Sequence, residues 1–287
     1  MIVTRFAPSP TGFLHLGHAS AALRAYDAAR AGGGRFLLRI EDIDTTRCRP
    51  EFERAILEDL VWLGIVWEEP VRRQSEHFAD YAAALVKLEA AGLVYPCFCT
   101  RKEIAAEIAR AAIAPSAADS AGEDAYPGTC RTLSEGLRAR RMAEGEAYAL
   151  RLDVAKARAR HSGILQFVEH GHGPNGETGT QTARPELSGD IVLARKGLPT
   201  SYHLAVVVDD ALQGVSLVTR GHDLFPATAI QRLLQALLDL SVPDYAHHPL
   251  VLDEHGRKFS KRDRGATLAG LREAGETPDS LRVRLGI

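Results

Sequence analysis

A strand–helix–strand pattern at the start of the chain narrows the possible folds more than any other feature. Residues 2–6 and 35–40 are apolar runs of strand length, and residues 17–30 between them are rich in alanine and leucine. A triple glycine ends the predicted helix before the second strand. Strand, helix and strand in this order form a βαβ unit of a parallel sheet. Helical patterns over residues 51–63 and 75–91 extend the prediction to an α/β fold.

The pattern is interrupted in the middle of the chain and then resumes. Residues 170–189 are dense in glycine, threonine and proline and are predicted to form an exposed loop. Apolar strands are predicted at 190–194 and 215–219, followed by a periodic helix over 227–240. This order predicts a domain split by an insertion. Its parts are a first half, the insertion, a second half and a C-terminal part with short helices, at residues 1–94, 95–185, 186–241 and 242–287.

Composition limits the classes of function. The chain is 45% hydrophobic and 25% charged, and it holds no apolar run long enough to span a bilayer. Its start lacks the pattern of a signal peptide, so we expect a cytoplasmic protein, with a monomer as the default. The net charge of −2 gives no global electrostatic case for nucleic acid. Two local basic clusters are candidate contacts, with solvated faces as the alternative, and their members are Arg138, Arg140 and Arg141, and Arg151, Lys156, Arg158 and Arg160.

Two short motifs carry phosphate chemistry. The first, His15-Leu16-Gly17-His18, stands where the turn after the first strand enters the helix. A helix N-terminus attracts anions, the glycine allows close approach, and imidazoles donate hydrogen bonds to phosphate oxygens. The second, residues 258–262 (KFSKR), places Lys258 and Lys261 around a serine. Alone, the first motif could be a metal site and the second an exposed basic turn. Together, on either side of a split α/β domain, they resemble the signatures of class I aminoacyl-tRNA synthetases.

The cysteines predict a metal site. Cys97, Cys99 and Cys130 supply three thiolates, one ligand short of tetrahedral zinc. Tyr126 stands four residues before Cys130. Three buried thiols without metal are the alternative, because free cysteine is often a core residue. Rival fourth ligands are His161, His170 and His172, and Cys48 stands apart as a structural residue.

Further motifs narrow the resemblance to the glutamyl and glutaminyl branch of the class I synthetases. They occur in the family's order over nearly the whole chain, at residues 5–12 (RFAPSPTG), 38–42 (LRIED), 202–210 (YHLAVVVDD) and 220–224 (RGHDL). The resemblance implies a Rossmann-like catalytic domain with a zinc-bearing insertion and a short α-helical C-terminal region. It also implies that glutamate is activated with ATP and Mg²⁺ to glutamyl-adenylate.

The resemblance further implies the site residues. Glutamate would be bound by Arg5, Phe6, Ala7, Pro8, Ser9, Glu41, Tyr202 and Arg220. Among these, Glu41 would meet the ammonium group, and Arg220 with Arg5 would meet the carboxylates. Both Glu41 and Arg220 end apolar strands, where α/β folds place ligands, so they are not expected to be plain surface residues. ATP and catalysis would use His15, Gly17, His18, Lys258 and Lys261. One structural zinc ion would be held by Cys97, Cys99, Tyr126 and Cys130.

The RNA partner is also an expectation from resemblance. Only residues 263–287 follow the KFSKR motif, which leaves room for two short helices and no anticodon-binding domain. This resembles the truncated glutamyl-tRNA synthetase paralogues that attach glutamate to queuosine in the anticodon of tRNA(Asp) and activate it without tRNA. The sequence differs from the usual pattern in His203, of unknown consequence, and in the alanine-rich stretch 111–125 that lengthens the spacing between cysteines.

Three alternatives stay open. The first is a truncated glutamyl-tRNA synthetase that charges tRNA(Glu). The second is a nucleotidyltransferase that shares the HxGH motif and adenylates a small acid without tRNA. The third is an RNA-binding paralogue without activity, which the intact motifs at residues 15–18 and 258–261 disfavour.

Overall fold

The structure is a computed structural model that describes residues 1–100, 126, 128–252, 256 and 267–287. Lys258 and Lys261 therefore lie outside the described residues. Within these ranges no helix has both the length and the apolar content needed to cross a membrane.

The N-terminal part of the chain forms a parallel three-stranded sheet. Its strands are β1 (Val3–Phe6), β2 (Arg35–Ile40) and β3 (Glu68–Arg73), in the spatial order β1-β2-β3. Two helices connect them, α1 (Leu16–Ala31) and α2 (Pro50–Trp62), and α3 (Phe78–Ala90) follows β3. Each connection returns the chain to the same end of the sheet, so the carboxyl ends of β1 and β2 lie side by side.

A second sheet continues from β1. It has the order β7-β6-β10-β9, and its strands are β6 (Gln166–Glu169), β7 (Gly179–Thr182), β9 (Leu217–Gly221) and β10 (Asp244–His248). Strands β9 and β10 are parallel, and β6 pairs with β10 in parallel as well. Ser216 joins the two sheets, because its N–H donates to the Val3 carbonyl at 2.9 Å and its hydroxyl accepts from the Val3 N–H at 2.9 Å. The strand order reverses between β1 and β9, which is where α/β folds bind ligands.

A separate antiparallel sheet lies within and after the predicted insertion. Its strands are β4 (Val94–Cys97), β5 (Ala149–Leu152) and β8 (Val192–Arg195), in the order β4-β5-β8. Two short helices accompany it, α4 (Glu135–Ala143) and α5 (Val154–Arg160).

The remaining helices cover the two faces of the parallel strands. They are α6 (Tyr202–Leu212), α7 (Ala227–Leu238), α8 (Leu268–Glu273) and α9 (Pro278–Leu285). One apolar cluster includes side chains of α3, α6 and α7, and a second includes side chains of α1, α2 and the C-terminal helices. Strands β1 and β2 are thus buried almost throughout, whereas β3, of sequence EEPVRR, is a largely polar edge strand.

The α/β fold class is confirmed, and two local predictions are wrong. The predicted strands and helices of the first third occur within three residues of the expected positions. The strand predicted at 190–194, where the parallel-sheet pattern resumes, is β8, which pairs with β5 in the antiparallel sheet. The stretch 170–189 is not all loop, because it contains β7, which pairs with β6 from Gly179 to Thr182. This strand is a largely exposed edge strand of glycine, threonine and glutamine, so it lacks the apolar alternation that marks a strand in sequence.

Candidate active site

Two histidines cap the N-terminus of α1. The Nδ1 atom of His15 accepts a hydrogen bond from the N–H of Gly17 at 3.2 Å, and the Nδ1 atom of His18 accepts from the N–H of His15 at 3.2 Å. A neutral imidazole that accepts at Nδ1 carries its proton at Nε2, so each ring presents a donor on that atom. The ring centroids lie 3.8 Å apart. Two such donors at the positive end of a helix suit phosphate oxygens.

The residues around this cap explain why position 17 is a glycine. They also show that the chain passes the cap soon after the basic motif. A Cβ atom at Gly17 would lie 3.1 Å from Cε1 of His15, closer than an ordinary contact. Thr267 pairs with His15 in an isolated bridge, and the N–H of Leu268 donates to the Leu14 carbonyl at 2.9 Å. The chain therefore returns to the HxGH motif shortly after residue 262, the last residue of the KFSKR motif.

Beneath the end of β1 lies a buried network of arginines and carboxylates. The Nε atom of Arg5 donates to Oδ1 of Asp210 at 3.0 Å, and Nη1 of Arg39 donates to the same oxygen at 2.7 Å. Arg39 also contacts Glu41 at 3.2 Å. Burial alone would lower the pKa of Arg39, but Asp210, Glu41 and Asp209 outweigh it and raise that pKa above its usual value. The network holds β1, β2 and α6 together and orients Glu41.

Glu41 follows β2 and is almost fully buried. Burial raises the pKa of its carboxyl group, and the nearby Arg39 and Arg5 only partly offset this effect. A cationic group at this position would therefore be stabilised by the carboxylate, and the carboxylate by it. The α-ammonium group of an amino acid is such a cation.

Arg220 has a different environment from Arg5 and Arg39, which are paired with carboxylates. Its three nitrogens donate to His247 Nε2 at 3.0 Å, to Gln231 Oε1 at 2.8 Å and to Thr228 Oγ1 at 2.6 Å. No Asp or Glu in the part of the chain that the structure describes forms an ion pair with it, although its residue is only 5% exposed. A buried cation with neutral partners is costly until an anion binds. Arg220 is thus suited to hold a carboxylate ligand.

Tyr202 shows that the predicted glutamate-binding groups converge. Burial raises the pKa of its hydroxyl group; the charges of Arg220 and Arg5 lower this pKa, whereas Glu41 raises it further. The three charged side chains therefore all lie near the Tyr202 hydroxyl. His203 stands beside Tyr202, with ring centroids 5.4 Å apart, and burial together with Arg220 lowers the pKa of His203 to about 4. This histidine is therefore neutral at pH 7.

The segment after β1 contributes backbone rather than large side chains. Phe6 points to the opposite face of the sheet from Arg5 and packs in the cluster under α1, so it would contact glutamate through its main chain. The carbonyl of Pro8 accepts from the N–H of Glu41 at 3.0 Å, which brings the segment over the end of β2. Ala7 and Ser9 are partly exposed on either side of it.

The three predicted zinc-binding cysteines lie together. The Sγ atoms of Cys97, Cys99 and Cys130 are all within 4.8 Å of one another. The hydroxyl of Tyr126 lies 3.2 Å from Sγ of Cys97 and 3.5 Å from Sγ of Cys99, which makes it a fourth donor. Tetrahedral zinc with sulfur ligands at about 2.3 Å needs donors of this kind and closeness. The four donors therefore fit a structural zinc ion.

Without a bound cation, the pKa values of the two neighbouring thiols shift in opposite directions. Burial alone raises the pKa of Cys97, but hydrogen bonds from Tyr126, Cys99 and Arg151 bring it below its usual value. Burial raises the pKa of Cys99 to about 12. A metal ion would offset the cost of holding several thiolates together.

The rival ligands and the basic clusters have other positions. His170 and His172 follow β6 in the other sheet, where His170 lies 2.8 Å from Asp244, and His161 ends α5. Cys48 lies between β2 and α2. Arg151 does not share a basic surface with the α5 residues, because it is buried and donates to the Asp190 carbonyl at 2.6 Å.

Several functional candidates were missed in the sequence. Arg39 and Asp210 fall inside the LRIED and YHLAVVVDD motifs, so their positions within these motifs could have identified them as candidates. Glu169 and His247 lie outside every quoted motif and meet only in the folded chain.

Comparisons with known proteins agree with this geometry. A family model described as "tRNA synthetases class I (E and Q), catalytic domain" matches residues 1–284. The chain belongs to this family. The predicted family resemblance and the synthetase-type α/β catalytic fold are thereby confirmed.

Curated relatives of this synthetase span the whole chain. It is 48% identical to the glutamyl-Q tRNA(Asp) synthetase of Rhodobacter capsulatus, over 100% of both chains. It is 46% identical to the protein of the same name from Nocardia farcinica, over 96% of this chain and 81% of the relative. A glutamate–tRNA ligase of Aquifex aeolicus is 38% identical over 98% of this chain and 55% of its own length.

Solved structures give the same family. A glutamate tRNA ligase from Elizabethkingia meningosepticum, in complex with its amino acid, superposes with a TM-score of 0.77 at 30% identity. The match covers 100% of this chain and 60% of that structure, so this synthetase spans about three fifths of the solved ligase.

Proposed function

We propose that this synthetase activates L-glutamate with ATP and transfers it to queuosine in the anticodon of tRNA(Asp). An oxygen of the glutamate α-carboxylate attacks the α-phosphorus of ATP, the bond to the leaving pyrophosphate breaks, and glutamyl-adenylate forms. The queuosine acceptor then displaces AMP. The transfer target is supported by the relatives named glutamyl-Q tRNA(Asp) synthetase that align over most or all of this chain.

The environment of Arg220 is the observation that supports glutamate as the substrate of the activation step. Its buried guanidinium, surrounded by neutral partners, is complemented by a substrate carboxylate. Glu41 receives the ammonium group, Tyr202 closes the pocket between them, and Arg5 adds positive charge while bound to Asp210. A neutral glutamine side chain would leave Arg220 without a counter-ion, so glutamate is the preferred substrate.

The phosphate groups are assigned to the cap of α1 and the KFSKR motif. His15 and His18 donate from Nε2 to phosphate oxygens, and Gly17 allows their close approach. Lys261, with Lys258 in support, supplies positive charge where negative charge develops on the phosphate. Mg²⁺ that accompanies ATP would neutralise the pyrophosphate.

The remaining predictions concern the metal, the compartment, the domain division and the oligomeric state. A structural zinc ion is held by Cys97, Cys99, Tyr126 and Cys130, and it ties together the segment that follows β4. None of the four cysteines, all within the described residues, forms a disulfide, which fits a reducing cytoplasm. The four-part division at residues 94, 185 and 241, and a monomeric state, stay predictions.

The activation step is tested by ATP–pyrophosphate exchange in the absence of tRNA. We expect exchange that depends on L-glutamate and is at least about tenfold weaker with L-glutamine, because a buried charge without its partner weakens binding. Exchange only in the presence of tRNA(Glu) would favour the charging enzyme instead. Exchange with a small acid other than glutamate would favour the nucleotidyltransferase reading.

A further inference from the structure

A buried hydrogen-bonded chain extends from Arg220 away from the glutamate pocket. Its members are Arg220, His247 and Glu169, from β9, β10 and β6. The Nε atom of Arg220 donates to Nε2 of His247 at 3.0 Å, and Nδ1 of His247 lies 2.5 Å from Oε2 of Glu169. The side chains of His247 and Glu169 are fully buried. Neither residue is used in the activation chemistry described above.

The donor and acceptor roles in this chain allow a single arrangement. Arginine can only donate, so Nε2 of His247 must accept and its proton must reside on Nδ1. That N–H then donates to the carboxylate of Glu169. The other carboxylate oxygen, Oε1, accepts from the backbone N–H of His247 at 2.8 Å and from the backbone N–H of Gly171 at 2.9 Å. Glu169 therefore fixes both the tautomer and the position of the imidazole.

The surrounding packing holds the imidazole in place. Phe225 contacts the His247 ring edge-on at 5.0 Å between centroids, and Tyr245 lies parallel to it at 5.9 Å. A Cβ atom at Gly171 would lie 2.2 Å from the carbonyl oxygen of His247, so only glycine lets the chain after β6 approach β10 this closely. Burial lowers the pKa of His247 to about 4, although Glu169 opposes this shift, so the ring stays neutral at pH 7.

We propose that His247 and Glu169 are positioning residues for glutamate recognition: they hold the guanidinium of Arg220 in the orientation that receives the substrate carboxylate. The inference rests on the proposed function, because it takes Arg220 as the carboxylate-binding group. A neutral imidazole suits this role, since it orients the guanidinium without competing as an anion for it. By contrast, Arg5 is oriented by a carboxylate, that of Asp210, with which it forms an ion pair.

Glu169→Gln tests the hydrogen-bonded chain of Arg220, His247 and Glu169 without changing the shape of the side chain. One end of a glutamine amide is a donor, and every group that faces Glu169 is itself a donor. The amide either opposes the two backbone N–H groups or forces the proton of His247 onto Nε2, where it opposes the N–H of Arg220. His247→Leu removes the acceptor altogether. His247→Gln keeps an acceptor oxygen where Nε2 stood, so it is the conservative variant that rescues.

The measurement is the dissociation constant of L-glutamate by calorimetry, together with the KM values for glutamate and ATP in pyrophosphate exchange. We expect Glu169→Gln and His247→Leu to weaken glutamate binding about tenfold or more. The KM for ATP should change by less than about twofold, because the hydrogen-bonded chain of Arg220, His247 and Glu169 does not reach the phosphates. His247→Gln should lie between wild type and His247→Leu. In an Arg220→Gln background, Glu169→Gln should have little further effect on glutamate binding.

Tyr95→Phe is the matched control, because it removes a buried hydrogen bond outside the hydrogen-bonded chain of Arg220, His247 and Glu169. The Tyr95 hydroxyl donates to Asp190 at 2.7 Å in the antiparallel sheet, and its loss should lower stability but leave glutamate binding unchanged. Wild-type affinity in Glu169→Gln and His247→Leu would overturn the inference, and so would equal losses for glutamate and ATP. Wild-type protein that binds no glutamate would overturn it as well. Binding without exchange would contradict only the proposed function, because calorimetry would still decide the role of the chain.

Discussion

At the scale of single residues, the arginines of the site differ by what surrounds them. Arg39 and Arg5 share the carboxylate of Asp210, so each has an ion-pair partner within the protein. Arg220 has a histidine, a glutamine and a threonine as partners, and its charge is left for a ligand. The proposed roles follow from this difference: Arg39 is structural, Arg5 adds positive charge to the pocket from its ion pair, and Arg220 binds the ligand carboxylate directly.

Arg220→Gln should therefore weaken glutamate recognition strongly. Loss of a charge that pairs in a buried site costs about 2–5 kcal/mol, or roughly 30- to 3000-fold in the KM for glutamate. Steady-state pyrophosphate exchange measures this value. Arg35→Gln is the control, because Arg35 forms an exposed ion pair with Glu68 far from the pocket. An unchanged KM in Arg220→Gln would assign the carboxylate to another residue.

Asp59 gives a prediction for stability against pH. It lies on α2, almost fully buried; burial raises its pKa to about 6, although Arg272 opposes the shift. The folded state thus binds the proton more tightly than the unfolded state, whose pKa is about 3.9. This contribution to stability is complete below about pH 4 and is lost as the pH rises through about 6.

Asp59→Asn should remove the penalty of the buried charge. At pH 8 we expect the free energy of unfolding of the variant to exceed that of wild type by up to about 3 kcal/mol, and at pH 4 the difference should nearly vanish. Urea denaturation at both values measures this. Glu58→Gln, at an exposed neighbouring carboxylate, should change stability by less than about 0.5 kcal/mol. A variant less stable than wild type at pH 8 would show that the ion pair with Arg272 dominates.

At the scale of elements, the sequence predicted where the ligand-binding residues would stand but not what holds them. Glu41 and Arg220 end apolar strands, and the carboxyl ends of parallel strands meet at one edge of a sheet. That inference needs only a local pattern. The partners of these residues are distant in sequence: Arg39 and Asp210 are 171 residues apart, and Glu169 and His247 are 78 apart. No periodicity in the chain indicates such pairs.

The strand β6 shows the same limit for secondary structure. Glu169 ends β6, just before the glycine-rich stretch that predicted an exposed loop, yet β6 and β7 extend the sheet that contains Arg220. Both strands are only four residues long, and β7 is mostly exposed, so tertiary hydrogen bonds rather than local propensity decide their conformation.

The proposed zinc site also belongs to the scale of elements, since its candidate ligands connect the end of β4 to the turn around Cys130. Cys130→Ser should reduce bound zinc from about one ion per chain to well below half, because serine replaces a thiolate with a poor ligand. Elemental analysis of the purified protein measures the content. Cys48→Ser, at the cysteine outside the cluster, should retain the metal. Wild-type protein without zinc under reducing, chelator-free purification would favour three buried thiols instead.

At the scale of the whole molecule, the two sheets joined at Ser216 bring the carboxyl ends of the parallel strands β1, β2 and β9 to one edge, where the glutamate-binding candidates Arg5, Glu41 and Arg220 lie. The cap of α1 lies at the same edge, where Thr267 brings the chain back after the KFSKR motif. Family and fold were predictable from sequence because the motifs are local and ordered along the chain. The acceptor RNA was not predictable from physical reasoning, because no residue of this chain has been tied to a modified base.

The acceptor is also where the leading candidates differ. A charging enzyme would form an ester at the 3′ terminal ribose of tRNA(Glu), whereas the proposed enzyme modifies an internal base of tRNA(Asp). Both would pass the activation test with glutamate, so only the transfer step separates them.

The most direct test is transfer of radiolabelled glutamate, with ATP and Mg²⁺, to three RNAs offered in parallel: tRNA(Asp) with queuosine, tRNA(Asp) without it, and tRNA(Glu). We predict label on queuosine-containing tRNA(Asp) alone, in a form that survives the mild alkali that removes 3′-aminoacyl esters. Label on tRNA(Glu), lost in alkali, would contradict the account and identify a minimal charging enzyme.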